Sequence, residues 1–132
     1  MKRLCILAIG AVLAQPAAAD MPRVVRHLDG YACMRLALPE ALLQSFSTLP
    51  PVFAAPYPSA PTLGLASATV IVAAPLEVQN GFAKVLHLDG RTGWVELAKL
   101  GPWIDATHPR TQCIPSMMSN GRPGFDYGVP AP

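Results

Sequence analysis

The sequence lacks a basic excess, a long apolar run and an internal repeat, and the first two absences argue against particular partners. Lys and Arg number ten and Asp and Glu eight, and two of the basic residues, Lys2 and Arg3, lie at the extreme amino terminus. The rest of the chain is balanced at eight against eight, which gives no electrostatic reason to expect nucleic acid or an anionic membrane surface as a partner. No apolar run reaches the roughly 18 residues of a membrane-spanning helix, so no span is expected in the mature chain.

Residues 1–19 have the pattern of a cleaved secretory signal peptide. Two basic residues precede the apolar run 4–13, and small residues lead up to Ala19. An uncleaved anchor is the alternative, but Pro16 interrupts the apolar character too early for one. We therefore expect cleavage after Ala19, loss of Cys5 with the leader, and a periplasmic or secreted location for a single remaining domain.

Two cysteines remain after that cleavage, Cys33 and Cys113. An even count in an oxidising compartment favours a disulfide between them. On the chain-entropy model, closing a loop of about 80 residues is worth on the order of 4 kcal/mol, which is comparable to the net stability of a small domain. Two free thiols are the alternative.

Residues 20–50 form an amino-terminal extension of mixed character. Pro39 and the residues that follow it up to Phe46 predict a short helix, because proline suits the first helical position and Glu40 supplies an acid in the first turn. The pair Pro50-Pro51 ends this helix, since neither residue has a backbone N–H to donate.

Residues 51–100 have the pattern of a small all-β barrel, in which short strands alternate with turn residues. Asn80-Gly81 marks a tight turn, and the proline-rich stretch 56–61 forms a stiff loop. The predicted strands are 52–54, 63–65, 69–73, 76–78, 82–88 and 92–97, and the apolar segment 33–38 could also be extended. The predicted fold class is therefore mainly β, a small barrel with a short amino-terminal helix and irregular extensions at both ends.

Residues 101–132 form a carboxyl-terminal extension in which periodicity vanishes and prolines recur. Such a composition predicts a disordered end. A disulfide at Cys113 would hold the extension as far as about residue 115, and we expect order to fade from about Gly124. Asn120-Gly121 is an isolated turn signal, and Phe125 is expected to dock on the barrel.

The stretch LDGRTGWVEL predicts a hairpin, and its loop length decides which residues face each other. A two-residue turn at Asp89-Gly90 would place Val85 opposite Trp94. A bulged loop that also includes Arg91 would place Val85 opposite Val95, which pairs apolar with apolar. The second register is the one we predict.

The predicted register has three further consequences. It places Lys84 opposite Glu96, which pairs opposite charges. It puts Gly93 on the face that packs inward, where a missing side chain allows another backbone to approach closely. It also puts Trp94 on the other face beside Phe82, either as a cover for a second layer or as part of a binding surface.

The segment from Val52 to Leu100 resembles the bacterial SH3-like domain family. The residues that carry the resemblance are Pro56, the Leu63-Gly64 step, Asn80-Gly81-Phe82, Val85, Asp89-Gly90, Gly93-Trp94-Val95 and Leu100. The glycine-tryptophan ending is moderately specific in this strand context. Family members commonly carry an arginine shortly before the loop proline, where this chain has Ala54-Ala55, and often a tryptophan at the position of Phe82.

The resemblance implies a barrel of five to seven strands that serves outside the cytoplasm as a non-catalytic binding or targeting module. Peptidoglycan and peptides are the ligands that it implies. Carried onto this chain, the aromatic ligand-binding groove would consist of Phe53, Tyr57, Phe82 and Trp94, with Trp103 beside them.

No motif in the sequence points to catalysis, a cofactor or a metal. Gly90 and Gly93 lie between two predicted strands rather than before a helix, and no Gly-Lys-Ser/Thr follows, so they do not form a phosphate loop. No two of the three histidines have the short spacing typical of metal ligands. Cys113 with His108 lacks the surroundings of an activated nucleophile. We therefore predict a protein that is not an enzyme and uses no cofactor.

Two functions from different classes follow from these observations. The first is a secreted SH3-like binding module that associates with the cell wall or an envelope protein through the face between the 56–61 loop and the 80–94 region. The second is an accessory structural subunit whose extensions, tied by Cys33 and Cys113, form a protein interface. A groove of open aromatic rings would favour the first, and a covered one the second.

Overall fold

The computed structural model describes residues 9–11 and 21–129. The predicted leader and its cleavage site after Ala19 lie almost entirely outside the described residues. In the part that is described, no helix is long and apolar enough to cross a membrane.

Eleven strands, one helical turn and one short 3-10 helix make up the described chain. The strands are β1 (Val24–His27), β2 (Tyr31–Leu36), β3 (Pro51–Phe53), β4 (Thr62–Leu65), β5 (Thr69–Ala73), β6 (Val78–Gln79), β7 (Phe82–Leu86), β8 (Thr92–Glu96), β9 (Leu100–Pro102), β10 (Gln112–Met118) and β11 (Pro123–Gly128). The helical turn α1 is Glu40–Leu43, and the 3-10 helix is Leu97–Lys99. The prediction of a mainly β fold is therefore confirmed.

The strands form two antiparallel sheets of unequal size. The larger has the order β4-β3-β8-β7-β5-β2-β9, with β6 paired to β7, and the smaller has the order β1-β10-β11. The larger sheet ends at β4 and β9, which do not pair, so it is not a closed barrel. The amino-terminal extension is part of this sheet, because β2 lies between β5 and β9.

One face of the larger sheet surrounds the main core. The core residues come from β2, β3, β5, β7 and β8 and from the connection between β4 and β5. They are Leu36, Val52, Ala66, Val70, Val72, Val85 and Val95. Strands in a flat sheet lie about 4.8 Å apart, so β2 and β3 can share one cluster only if the sheet curves around it. Valine and leucine suit this enclosed face because β-branched and aliphatic side chains pack well on a pleated surface.

The predicted helix is shorter in the structure than in the sequence interpretation. Its helical turn stops at Leu43 rather than Phe46, buries no residue and has no side-chain cap at Pro39. The hydroxyl of Thr48 donates to the Ser45 carbonyl at 2.9 Å, which binds the chain in a tight turn directly after α1. Leu43 alone of the α1 residues packs against the main core, and it is only partly buried, so this short helix gains little from packing.

The carboxyl-terminal extension contains ordered strands, which contradicts the expectation that it has no regular element and fades from Gly124. A hairpin of β10 and β11 pairs in unbroken register from Gln112 with Gly128 to Met117 with Pro123. The Asn120-Gly121 signal does mark its turn, since Gly121 has φ +79° and its N–H donates to the Met118 carbonyl. The hairpin was not predicted because the recurrent prolines of this segment are typical of disordered chain.

The predicted disulfide between Cys33 and Cys113 is confirmed, and it joins the two sheets. Cys33 lies on β2 of the larger sheet, and Cys113 lies on β10 of the smaller one. A sheet of three strands buries little apolar surface by itself, so this covalent link stabilises its position against the larger sheet.

The β7–β8 hairpin has a different register from the predicted one. His87 donates its N–H to the Arg91 carbonyl, so the loop is 88–90, and Lys84 lies opposite Trp94 rather than Glu96. The amine of Lys84 instead lies 3.3 Å from a carboxylate oxygen of Glu77. The predicted register is therefore wrong: because the turn begins one residue earlier, each residue of β7 faces a residue of β8 that lies two positions before the predicted one.

Every side chain of the hairpin nevertheless lies on the predicted face, because side chains alternate between faces and the pairing has changed by two positions. Gly93 thus points inward as expected. A Cβ atom at Gly93 would lie 2.5 Å from Cγ1 of Val52 and 3.0 Å from the Phe53 carbonyl oxygen. The close approach of β3 to β8 therefore requires glycine at this position.

Replacing Gly93 by alanine should destabilise the protein by about 1–3 kcal/mol, because the new methyl group overlaps a buried valine and a backbone oxygen. Urea denaturation of the purified mature protein measures the change. Gly128→Ala is the matched control, since a Cβ there meets nothing within 4 Å, and it should stay within about 0.5 kcal/mol of the parent. Equal midpoints for Gly93→Ala and the parent would contradict the packing described here.

Reducing the Cys33–Cys113 bond should lower the free energy of unfolding by about 4 kcal/mol, because the denatured chain then gains the freedom of a loop with a sequence separation of 80. Urea denaturation with and without dithiothreitol measures the loss. The double variant Cys33→Ser, Cys113→Ser is the control, since dithiothreitol should not change its midpoint. A parent midpoint that is insensitive to the reductant would refute the proposed contribution of the bond.

Candidate functional site

Two of the four rings predicted to bind ligand are part of the core. Phe53 and Phe82 are 7% and 5% exposed and meet edge to face, with ring centroids 5.6 Å apart and an interplanar angle of 88°. Together with Ala60 they form a small second core cluster. Their surfaces are therefore committed to the interior, and the accessible part of the predicted groove is reduced to Tyr57 and Trp94.

The loop 54–61 closes over this second cluster. It is held by hydrogen bonds from the Ala54 N–H to the Pro61 carbonyl at 2.8 Å and from the Asn80 side-chain amide to the Pro56 carbonyl at 3.2 Å. Trp94 is half-buried against the same cluster, which favours the interpretation of this ring as a cover for a second layer. The face predicted to bind ligand is thus filled by the 54–61 loop.

A second group of rings, which the sequence interpretation did not assemble, lies where the two sheets meet. Trp103 stacks on Tyr127 with centroids 5.7 Å apart and an interplanar angle of 25°. Phe125 continues the row, 6.2 Å from Tyr127 at 30°. Trp103 directly follows β9 of the larger sheet, whereas the other two rings lie on β11, so the row bridges the sheets. We call these three residues the aromatic row.

The aromatic row adjoins an open groove over the disulfide. This groove has a volume of about 340 Å³ and is lined by Ala32, Cys33, Trp103, Thr111, Gln112, Cys113 and Ile114. A second open groove of about 310 Å³ shares Thr111 with it and reaches Val129, which is 63% exposed. Tyr127 itself is 53% exposed. The extensions therefore carry a largely accessible apolar surface.

The spacing of two aromatic residues in the sequence indicates the aromatic row, but the surrounding prolines and glycines argued against a strand there. Phe125 and Tyr127 are two residues apart, the spacing that puts side chains on one face of a strand. That spacing has meaning only if 123–128 is a strand. Phe125 was expected to dock on the barrel, and the contact found for its ring is with Tyr127.

Three ionisable groups, Asp89, Arg91 and Tyr127, have pKa values that their surroundings shift, and the Asp89 carboxylate raises the pKa of Arg91. The guanidinium of Arg91 binds the Asp89 carboxylate, with its Nε 2.7 Å from one oxygen, and lowers the pKa of Asp89. This pair fixes the β7–β8 turn on the surface. Partial burial of the phenol raises the pKa of Tyr127, with a smaller opposing effect from a hydrogen bond to Thr69.

Ser116, His27 and Asp126 share one region of the smaller sheet but do not form a nucleophilic site. His27 lies opposite Ser116 in the β1–β10 register, and its Nε2 lies 2.8 Å from a carboxylate oxygen of Asp126. The Ser116 residue is fully buried, and its hydroxyl donates to the Ile114 carbonyl at 3.0 Å. A hydroxyl without access to substrate and without a bond to histidine has no base to activate it.

In the described ranges, 9–11 and 21–129, no three His, Cys, Asp or Glu side chains lie in an arrangement that could hold a metal ion. Comparison of the chain with protein-family models, with curated proteins and with solved structures finds no match. The aromatic row and its grooves are therefore the main features from which a function can be inferred.

The phenol of Tyr127 should ionise above the ordinary value of 10.0, because partial burial disfavours the phenolate. The ultraviolet titration of the parent minus that of Tyr127→Phe isolates this group. Since the folded pKa is the higher one, the associated stability is present below pH 10 and is lost as pH rises through the folded pKa. A difference titration with its midpoint at or below 10.0 would contradict the partial burial of this hydroxyl.

Proposed function

We propose that this protein is a non-catalytic binding subunit of the cell envelope, periplasmic or secreted, whose disulfide-tied extensions form a protein interface. The leader pattern of residues 1–19 supports export, and the Cys33–Cys113 bond agrees with an oxidising compartment. The antiparallel strands of 51–100 agree with an SH3-like module as the scaffold beneath that interface.

The observation that carries this proposal is the exposed ring of Tyr127, held within the aromatic row beside two adjoining open grooves. Tyrosine and tryptophan are enriched in protein interfaces because they combine a large apolar area with a polar tip and few rotatable bonds. Tyr127 is half-exposed and is held by Trp103, so its ring is presented at low entropic cost. The exposed Ile104 and Val129, 61% and 63% accessible, extend the apolar character of the extensions.

The face between the 56–61 loop and the 80–94 region is the weaker candidate for this role. Phe53 and Phe82 are enclosed, and only Tyr57 offers a half-exposed ring there. Association with peptidoglycan through that face would thus depend on Tyr57 with Trp94 alone. We therefore favour the interface on the extensions over the barrel groove.

The proposal predicts that a photo-crosslinker forms a discrete adduct in the producing cells when it replaces Tyr127 but not when it replaces Tyr57. The variants Tyr127→p-benzoylphenylalanine and Tyr57→p-benzoylphenylalanine are matched, because both rings are about half-exposed. Adducts are detected as shifted bands with an antibody to the protein. Adducts only from position 57, or from neither position, would refute an interface on the extensions.

Sedimentation with purified peptidoglycan at low salt separates the two candidate faces. If the extensions form the interface, the mature protein should remain in the supernatant. Co-sedimentation that Tyr57→Ala abolishes and Tyr127→Ala leaves intact would return the function to the barrel groove.

A further inference from the structure

We propose that β11 is a docking edge, to which an extended segment of a partner protein adds as the next strand of the smaller sheet. This inference rests on the proposed function, since it specifies how the interface on the extensions would recognise its partner. β11 is the last strand of the order β1-β10-β11, so among residues 9–11 and 21–129 no strand lies along one side of its backbone.

The hydrogen bonding of the hairpin shows which backbone groups of β11 point away from β10. Met118 donates its N–H to the Arg122 carbonyl at 2.9 Å, so these two residues form a hydrogen-bonded pair. Such pairs alternate along antiparallel strands. The next ones are therefore Ser116 with Gly124 and Ile114 with Asp126. Phe125 and Tyr127 alternate with Gly124 and Asp126 along β11. Their N–H and carbonyl groups therefore point away from β10.

The opposite side of β10 supports this alternation. The Pro115 carbonyl accepts a hydrogen bond from the Leu28 N–H at 2.8 Å, on the side where β1 lies. Pro115 is the register partner of Phe125, so the two residues of this pair point their backbone groups in opposite directions. Tyr127 lies two residues further along and repeats the orientation of Phe125.

The other sheet edges carry features that discourage strand addition, and β11 has fewer of them. β1 contains a register shift between Val24 and Arg26, and β9 has only three residues and ends in proline. In β4, the Leu63 carbonyl accepts from Arg91 at 3.1 Å. Bulges, short length and occupied backbone groups are the usual protections of an edge. β11 has six residues in unbroken register and contains no basic side chain, and its one proline, Pro123, is confined to the first position.

The side chains of β11 define the chemistry of the incoming strand. One face presents Phe125 and Tyr127, which favour β-branched or aromatic residues at alternate positions of the partner. On the other face, the Met118 side chain covers Gly124, His27 binds the Asp126 carboxylate at 2.8 Å, and Gly128 leaves open space. The partner segment is therefore extended, with apolar side chains on one face and small or polar ones on the other.

Two cations lie at the ends of β11. Arg122 directly precedes the strand, and Arg110 lines the groove that reaches Val129 just after it. Neither arginine forms an ion pair with a carboxylate within the described part of the chain. Acidic residues at both ends of the partner segment would complement them.

A second copy of this chain fits the edge less well than a different partner. In the antiparallel register that lets Phe125 exchange both hydrogen bonds with Tyr127 of another copy, Asp126 lies directly opposite its counterpart. Like charges opposite each other on neighbouring strands are destabilising. Asp126 thus disfavours self-association while it leaves room for a neutral residue of a partner.

Amide hydrogen exchange of the full mature protein, followed by nuclear magnetic resonance, tests the edge directly. In the free protein, the N–H groups of Phe125 and Tyr127 should exchange fast, whereas those of Gly124 and Asp126 should be protected by β10. Fast exchange at all four residues would show that the hairpin does not form as described. Protection of Phe125 and Tyr127 that disappears on dilution would show pairing with a second copy and overturn the proposal.

The probe for docking is the peptide acetyl-Glu-Thr-Val-Thr-Val-Thr-Glu-amide, and the control is the same peptide with N-methylated valines, which cannot complete the ladder. Saturation with the probe should slow exchange at Phe125 and Tyr127 by roughly tenfold or more, and the control should have no effect. The absence of any protection at millimolar peptide would overturn strand addition.

Two matched lysine variants separate a loss of peptide binding from a general effect of the substitution on folding. Tyr127→Lys should weaken the probe by roughly tenfold, because a cation on the edge face disfavours strand pairing, and Tyr57→Lys should leave the affinity unchanged. Equal affinities for both variants would contradict docking at β11. If crosslinking at position 127 captures a partner while the probe gives no protection, the proposed interface stands and strand addition fails.

Discussion

The Cys33–Cys113 bond is the constraint on which the arrangement of the two sheets depends. It connects β2, which lies next to the edge strand β9 of the larger sheet, with β10, the central strand of the smaller one. Trp103 stacks on Tyr127 across the same junction. A three-stranded sheet has little core of its own, so the covalent link and this stack together keep β11 and its rings at the mouth of the groove.

The same constraint explains why the extensions, and not the central strands, carry the accessible aromatic surface. Within the larger sheet, the close approach that Gly93 permits brings β3 against β8, and the 54–61 loop then covers Phe53 and Phe82. The rings that a groove would need are used to fill the interior. At the junction of the sheets no third layer covers Tyr127, which is why its ring remains half-exposed.

Much of the fold followed from local signals. Turn residues located three of the turns, because Asn80, Gly81, Gly90 and Gly121 all adopt positive φ, which few other residues tolerate. The strand 69–73 was predicted with the bounds that the structure has, since a run of β-branched residues between turn signals is a strong pattern. The hairpin register was less accessible, because three-residue loops at 89–91 and at 88–90 give the same side-chain parity.

The disulfide, the mainly β class, the turn positions and the inward face of Gly93 could all be predicted from the sequence. Each of these depends on the number of cysteines, on backbone conformations that only certain residues adopt, or on a two-residue period along one strand. The positions that could not be predicted are those of β2 between β5 and β9, of the enclosed rings Phe53 and Phe82, and of β11 at an open edge. These features depend on which strands pair although they are far apart in the sequence. The burial of a side chain is decided by that pairing and not by its own segment.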